Sequence, residues 1–306
     1  MMEDLYGVDV AKNWIDVVGP AGHRRIANAQ LDRFAAQVAQ RGGRVVFEAS
    51  GGYETPLREA LAGAGVPALR VNPRRARAFA TALGHLAKTD RVDAGMLRQM
   101  AQRLNLPVCP PEPKELSALK ALQRRRRQLV EDVKRERIRA KQATCAVTRR
   151  SIERVLRVLS RETDQIEARI RALIAAHPVL QDRAALLQSA PGVGPVCTTA
   201  LLADLPELGQ LSPRQAAALA GLAPMARDSG LRSGQRRIMA GRKPLRDALY
   251  MAGLSASRHN PDLRAFAERL AARGKAPKQV IIAVTRKLLT ILNAMVRENR
   301  PYQPQQ

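Results

Sequence analysis

Between Glu115 and Ala176 the chain contains neither proline nor glycine. Short strands joined by hairpins need turn residues every few positions, so this stretch is not a β-sheet. Leu116, Leu119, Leu122, Leu129, Val133, Ile152, Val155, Leu159, Ile166, Ile170 and Leu173 recur at threes, fours and sevens. That spacing predicts one or two long amphipathic helices, paired antiparallel or forming an oligomerising coiled coil. The helices are basic: Lys114–Gln142 holds 11 basic and 4 acidic residues, including Arg124, Arg125, Arg126 and Arg127 in one run. A solvated helix face accounts for such charge plainly. A helix lying along a phosphate backbone accounts for it functionally.

The whole chain shares this bias. Its 306 residues carry 52 Lys and Arg against 27 Asp and Glu, a formal charge of +25. That length suits about two domains, and such an excess is costly to compact unless a polyanion is the partner. Nucleic acid is the first candidate. With 45% hydrophobic residues the chain is no disordered basic tail, and 3% aromatics argue against a large β-sandwich. No apolar run reaches the roughly 18–20 residues that span a bilayer. No basic n-region with an apolar core opens the chain. Cys109, Cys145 and Cys197 are scattered, which disfavours a zinc site or a disulfide framework. The expectation is a cytoplasmic, nucleoid-associated protein without a membrane segment.

The first hundred residues read as α/β. Strands are expected at Leu5–Val10, Trp14–Val18 and Arg24–Ala29, with Gly19-Pro20-Ala21-Gly22 as a turn. A helix follows at Leu31–Gln40, a buried strand at Arg44–Phe47, a helix at Thr55–Ala64, a strand at Val66–Val71 and a helical stretch from Pro73. Such a mixed sheet with parallel crossovers is a layered α/β fold. Four prolines between Leu106 and Pro113 mark a boundary. Beyond Leu186 the chain reads as helical with glycine-rich interruptions, ending in an amphipathic helix at Pro277–Val296 and a tail expected to fray after Arg300.

Four acids of the first domain occupy suggestive positions. Asp9 lies inside an apolar strand, where a charge needs a partner or an ion. Glu48 ends the fourth strand, ahead of Ala49-Ser50-Gly51-Gly52. If the first and fourth strands are parallel neighbours, the two carboxylates approach each other. Asp90 and Asp93, three apart in Lys88-Thr89-Asp90-Arg91-Val92-Asp93, share one helical face. Converging carboxylates repel unless a cation binds, and hard Mg²⁺ selects oxygen ligands. Such ions polarise a phosphodiester. The plainer alternative makes Asp90 a helix cap and Asp93 a surface charge.

Two further segments point to phosphate. In Ala190-Pro191-Gly192-Val193-Gly194-Pro195, Gly192 and Gly194 sit between helix-competent runs, as in a helix-hairpin-helix. The glycines would let backbone approach a phosphate at the following helix N-terminus. An ordinary helix–helix turn is the alternative. From Arg227 to Arg246 there are seven basic residues and one acidic, among them Arg236, Arg237, Arg242 and Lys243, around Ser229 and Ser233. Arginines can clamp phosphate oxygens while a serine attacks phosphorus. A flexible nucleic-acid-binding loop has the same composition.

Together these motifs resemble the IS-one-ten family of insertion-sequence transposases, the DEDD transposases. The resemblance spans nearly the whole chain. It rests on Gly7-Val8-Asp9-Val10-Ala11-Lys12, Glu48-Ala49-Ser50-Gly51-Gly52-Tyr53 and Lys88-Thr89-Asp90-Arg91-Val92-Asp93-Ala94. Pro191-Gly192-Val193-Gly194, Leu219-Ala220-Gly221-Leu222-Ala223-Pro224, Asp228-Ser229-Gly230, Gly241-Arg242, Leu249-Tyr250-Met251-Ala252 and Arg286-Lys287-Leu288-Leu289 follow in order. The resemblance implies a RuvC-like ribonuclease H fold over residues 1–107 and a mostly helical transposase domain over 184–306, with the helical, coiled-coil or oligomerising region read from the pattern above lying between them at 108–183. It implies Mg²⁺ on Asp9, Glu48, Asp90 and Asp93, and a nucleophilic serine at Ser229, with Ser233 as the other position an alignment could select. It also implies a homo-oligomer, dimer or tetramer, with composite active sites. Its implied partners are donor and target DNA and a structured bridge RNA. A junction-resolving endonuclease using only the acids is the enzymatic rival, and a non-catalytic nucleic-acid scaffold the third reading.

Overall fold

The computed structural model describes residues 4–84, 90–224, 238 and 241–304, and for residues 90–92 the backbone alone. The chain divides into two compact units, Met1–Glu112 and Pro113–Gln306.

In the first unit, β1 (Leu5–Val10), β2 (Trp14–Gly19) and β3 (Gly22–Ala27) form an antiparallel meander. Then come α1 (Leu31–Gln40), β4 (Arg44–Glu48), α2 (Thr55–Gly63), β5 (Ala68–Val71), α3 (Pro73–Ala82) and α4 (Asp90–Arg103). The sheet order is β3-β2-β1-β4-β5, with β4 parallel to both β1 and β5. β3 starts two residues earlier than its composition suggests. Gly19 and Gly22 pair directly across a two-residue turn, and Gly22 takes a positive φ that suits glycine.

Alternation decides the two faces of the sheet. Val8, Ile15, Val17, Val45 and Phe47 pack with Phe34 of α1 and with Leu57 and Leu61 of α2. Each such side chain contributes roughly 1.5–3 kcal/mol by burial. Leu5, Val46, Leu69 and Val71 face the other way, onto Leu97 and Met100 of α4. Helix α4 lies so close to β1 that a Cβ on Gly7 would stand 2.0 Å from the Ala94 carbonyl oxygen. Arg98 Nε donates to the Leu5 carbonyl at 2.9 Å. Ala94 meets Gly7 while Arg98 reaches back to Leu5, so α4 runs antiparallel to β1. Its N-terminus therefore stands at the C-terminal end of that strand.

The second unit is helical: α5 (Lys114–Gln142), α6 (Ala146–Ala176), α7 (Pro178–Gln188), α8 (Pro195–Asp204), α9 (Pro213–Ala220), α10 (Lys243–His259), α11 (Pro261–Ala272) and α12 (Pro277–Glu298). From α7 to α12 each helix has proline in its first turn, where the missing N–H costs nothing. The breaker-free stretch forms two antiparallel helices, broken at residues 143–145. Arg126 Nε meets Glu167 Oε1 at 2.7 Å across the pair. Unbroken, the stretch would extend about 90 Å at 1.5 Å per residue and leave its apolar stripe bare. Both helices belong to the second unit: Leu119 and Ile170 share one core with α8, α10 and α12.

Two expectations change here. By length and composition α12 is long and apolar enough to cross a membrane. Arg286 and Lys287 interrupt its apolar stretch, so no uninterrupted run marks it in the sequence. Its side chains Val280, Val284, Leu288, Leu289 and Leu292 lie in the core of the second unit. The tail after Arg300 does not fray at its start. Tyr302 packs on that core, its N–H donates to Ser189 Oγ at 2.9 Å and its hydroxyl to Asn260 Oδ1 at 2.9 Å. A single aromatic in a polar tail supplied the anchor that composition concealed.

Candidate phosphoryl-transfer site

Register places two of the four acids. The parallel pairing of β1 with β4 runs to Val8 opposite Phe47, so Asp9 and Glu48 stand one step further along adjacent strands. Asp9 shares the face of Gly7, and Glu48 that of Val46. Both therefore lie on the side covered by α4, at the C-terminal strand ends. Asp93 immediately precedes Ala94, the residue against Gly7, and so lies at the same end. All three are half-buried. Asp90 opens α4, and its side chain lies outside the described residues. Oxygen donors alone suit a hard divalent cation. Among the described residues, no three His, Cys, Asp or Glu side chains stand close enough to hold a metal ion.

The loop behind Glu48 is organised by a residue the sequence did not single out. Glu54 accepts from Gly52 N–H at 2.8 Å, Ser50 N–H at 3.2 Å, Ser50 Oγ at 3.0 Å and Arg70 Nη2 at 3.1 Å. Gly51 and Gly52 both take positive φ, which lets two N–H groups turn toward one carboxylate. Burial pushes the Glu54 carboxyl up, but these donors outweigh it and hold it below the ordinary range. A glutamate six residues after Glu48, just beyond paired glycines, was the available signal.

Asp16 is the second omission. It pairs with Asp9 across β1 and β2, lies on the same face, and is only 2% exposed. Arg25 grips it through Nε and Nη2 at 3.2 and 2.9 Å, and His23 Nε2 lies 2.9 Å from Oδ1. Burial raises this carboxyl too, and the two partners bring it below the ordinary range. An aspartate between Ile15 and Val17 is visible in the sequence, but its partners on the neighbouring strand β3 are not.

The remaining predicted positions lie in the second unit or outside the described residues. Ser229, Ser233, Arg236 and Arg237 lie outside. Gly192 has φ +99°, and a Cβ on it would stand 2.6 Å from Ala256 Cα. Packing of the α7–α8 turn against α10 thus demands glycine there. Gly194 caps α8, is exposed, and has open space where a Cβ would be. Arg124 and Arg125 are exposed, whereas Arg126 pairs with Glu167 and Arg127 Nη1 meets Asp204 Oδ2 at 2.7 Å.

Arg242 donates to both Glu207 oxygens at 2.7 and 2.9 Å and to the Asp204 carbonyl at 2.6 Å. These bonds raise its own pKa, chiefly through Glu207. Together with Arg126 and Arg127 it holds the helices of this unit together. Lys243 is exposed and pairs with Asp247 at 2.7 Å.

An acid-bearing α/β sheet joined to a basic helical unit has the make-up of a nucleic-acid-processing protein. Comparison with known proteins makes this specific. Residues 6–148 match the DEDD model of IS110 elements, described as a transposase, and residues 184–268 match the Transposase IS116/IS110/IS902 family. A pilin gene-inverting protein of Moraxella bovis is 33% identical over 240 residues, 76% of this chain and 73% of its own. That of Moraxella lacunata is 32% identical over 266 residues, 84% and 81% of the two chains. An uncharacterized 43.6 kDa protein of insertion element IS110 from Streptomyces coelicolor is 33% identical over 141 residues, 45% of this chain and 34% of its own. The chain belongs to the IS110/IS116/IS902 family of transposases, and it is a DNA transposase or recombinase.

Proposed function

We propose that this transposase cuts and rejoins DNA by phosphoryl transfer, with Asp9, Glu48, Asp90 and Asp93 as the acidic centre of a RuvC-like unit and Ser229 as nucleophile. The observation that carries the reading is the placement of Asp9 and Glu48 on one face at the ends of neighbouring parallel strands, beneath the N-terminus of α4. Mg²⁺ held there by carboxylate oxygens would polarise the phosphodiester and neutralise developing charge. Asp9 and Glu48 keep the strand ends acidic, and Glu54 fixes the loop that follows them.

Attack by Ser229 Oγ forms one P–O ester bond as another breaks, and the departing sugar oxygen takes up a proton. The ester energy stays in the serine link, so rejoining needs no ATP. Exposed Arg124 and Arg125 on α5 suit a phosphate backbone, either DNA or a structured bridge RNA. Gly194 at the head of α8 suits a further phosphate contact. A homo-oligomer would let acids of one subunit serve the serine of another, and the working compartment would be the cytoplasm around the nucleoid.

The test is a pair of variants incubated with donor and target DNA and any co-purified RNA. Ser229→Ala is expected to abolish the protein–DNA adduct seen by mass spectrometry while DNA binding persists. Asp9→Asn is expected to abolish strand cleavage. Free ends released by Ser229→Ala at the wild-type rate would replace this reading with the endonuclease that uses only the acids.

A further inference from the structure

One row of register crosses four strands of the sheet. Glu48 on β4 neighbours Asp9 on β1, Asp9 pairs with Asp16 on β2, and Asp16 pairs with Arg25 on β3. All four side chains lie on one face. The row thus passes from two half-buried acids, through a third acid already neutralised, to a cation on an edge strand. We infer that Arg25 is a DNA-contact residue that takes a phosphate flanking the one at the acidic centre.

Three observations support this. Arg25 is held in place from two sides: Asp16 grips its Nε and Nη2, and its guanidinium stacks on Trp14 at 4.7 Å from the ring centroid. An arginine so fixed loses little freedom when it binds a phosphate. Its side chain is nevertheless 53% exposed, so a large anion can reach it. It stands two strands from Asp9, about 10 Å at ~4.8 Å per strand, close enough for one DNA strand to meet both. Asp16 then orients Arg25 and is no further ligand in the acidic centre. Arg24 provides the control, because it faces the opposite side, over the Phe34 ring.

The flanking-phosphate role rests on Asp9 and Glu48 being the reacting centre. The experiment measures binding of a mixed-sequence DNA duplex across a range of KCl concentrations. It compares wild type with Arg25→Gln, with the double variant Arg25→Gln/Asp16→Asn, and with Arg24→Gln. The double variant removes both charges of the Asp16–Arg25 pair, so it separates lost binding from lost folding, which thermal unfolding checks.

Arg25→Gln and the double variant are expected to bind about 3–10-fold more weakly and to lower the salt slope by about one unit, the signature of one lost phosphate contact. Arg24→Gln should change the slope less. A folded double variant with wild-type slope overturns the inference, leaving Arg25 to charge the sheet edge against aggregation. An equal loss in Arg24→Gln also overturns it. If Asp9→Asn still cleaves while the Arg25 variants bind weakly, the reading of the acidic centre fails and the DNA contact stands.

Discussion

The two units bury carboxylates with opposite results. In the first, Glu54 is almost completely enclosed, yet its carboxyl lies below the ordinary range. In the second, Asp204 is less enclosed, faces Arg127 and Arg242, and still lies above it. Both acids have an arginine partner. Burial raises both carboxyls and prevails at Asp204, while backbone donors counter it at Glu54. Glu54 receives two N–H groups from a glycine turn, whereas Asp204 ends α8, where the helix presents carbonyls. Burial prevails where the backbone does not help. Glu207, close by, falls on the lowered side because Arg242 binds both of its oxygens.

The largest test removes the better-served acid. Glu54→Ala is expected to cost about 2 kcal/mol at neutral pH, because it leaves half-buried N–H donors without their acceptor. Since the folded carboxyl is depressed, its contribution is present above the unfolded value near 4.5 and is lost as pH falls through the lower folded value. The gap between wild type and variant in denaturant titrations should therefore narrow on acidification. A gap independent of pH would break the comparison.

A smaller effect is expected in the second unit. Arg127→Ala should cost about 1 kcal/mol, discounted because the guanidinium is a third exposed. Adding Asp204→Asn should recover most of that loss, because it removes a carboxylate that burial already disfavours. The pH sign is reversed here. The folded value is raised, so the Asp204 contribution declines as pH rises from the unfolded value near 3.8 through the folded one. A double variant weaker than Arg127→Ala alone would contradict this account.

The smallest test moves the same rule to thiols. Cys145, at the head of α6, is lowered by the backbone N–H groups of Thr148 and Val147. Cys197, buried in α8 without such help, is pushed up to about 12. Alkylation near neutral pH should therefore modify Cys145 first, by peptide mapping, with no effect on stability. Faster reaction at Cys197 in the folded protein would mean that access and backbone donors do not govern these groups.

Much of the first unit was legible because its signals are local. Alternation, the Gly19–Gly22 turn and Pro56 near the start of α2 mark strands and helices nearly where they occur. Asp9 and Glu48 stood out as acids at strand ends. Asp16 and Glu54 did not, because their partners Arg25 and Arg70 come from other strands. Gly192 shows a different limit. A glycine suits a phosphate turn or a close helix crossing equally well, and the approach of Ala256 is visible only in the fold.

The sequence alone determined the alternation of the sheet, the two acids at its strand ends, the family motifs and the absence of any breaker from Glu115 to Ala176. Tertiary structure decided where that stretch turns back, at residues 143–145, which hold neither glycine nor proline. It also decided which arginines of the basic run face solvent and which hold helices together. The physical reason is the same in both cases. A helical stripe and a positive charge are each satisfied only by a partner, and the partner stands far away in sequence.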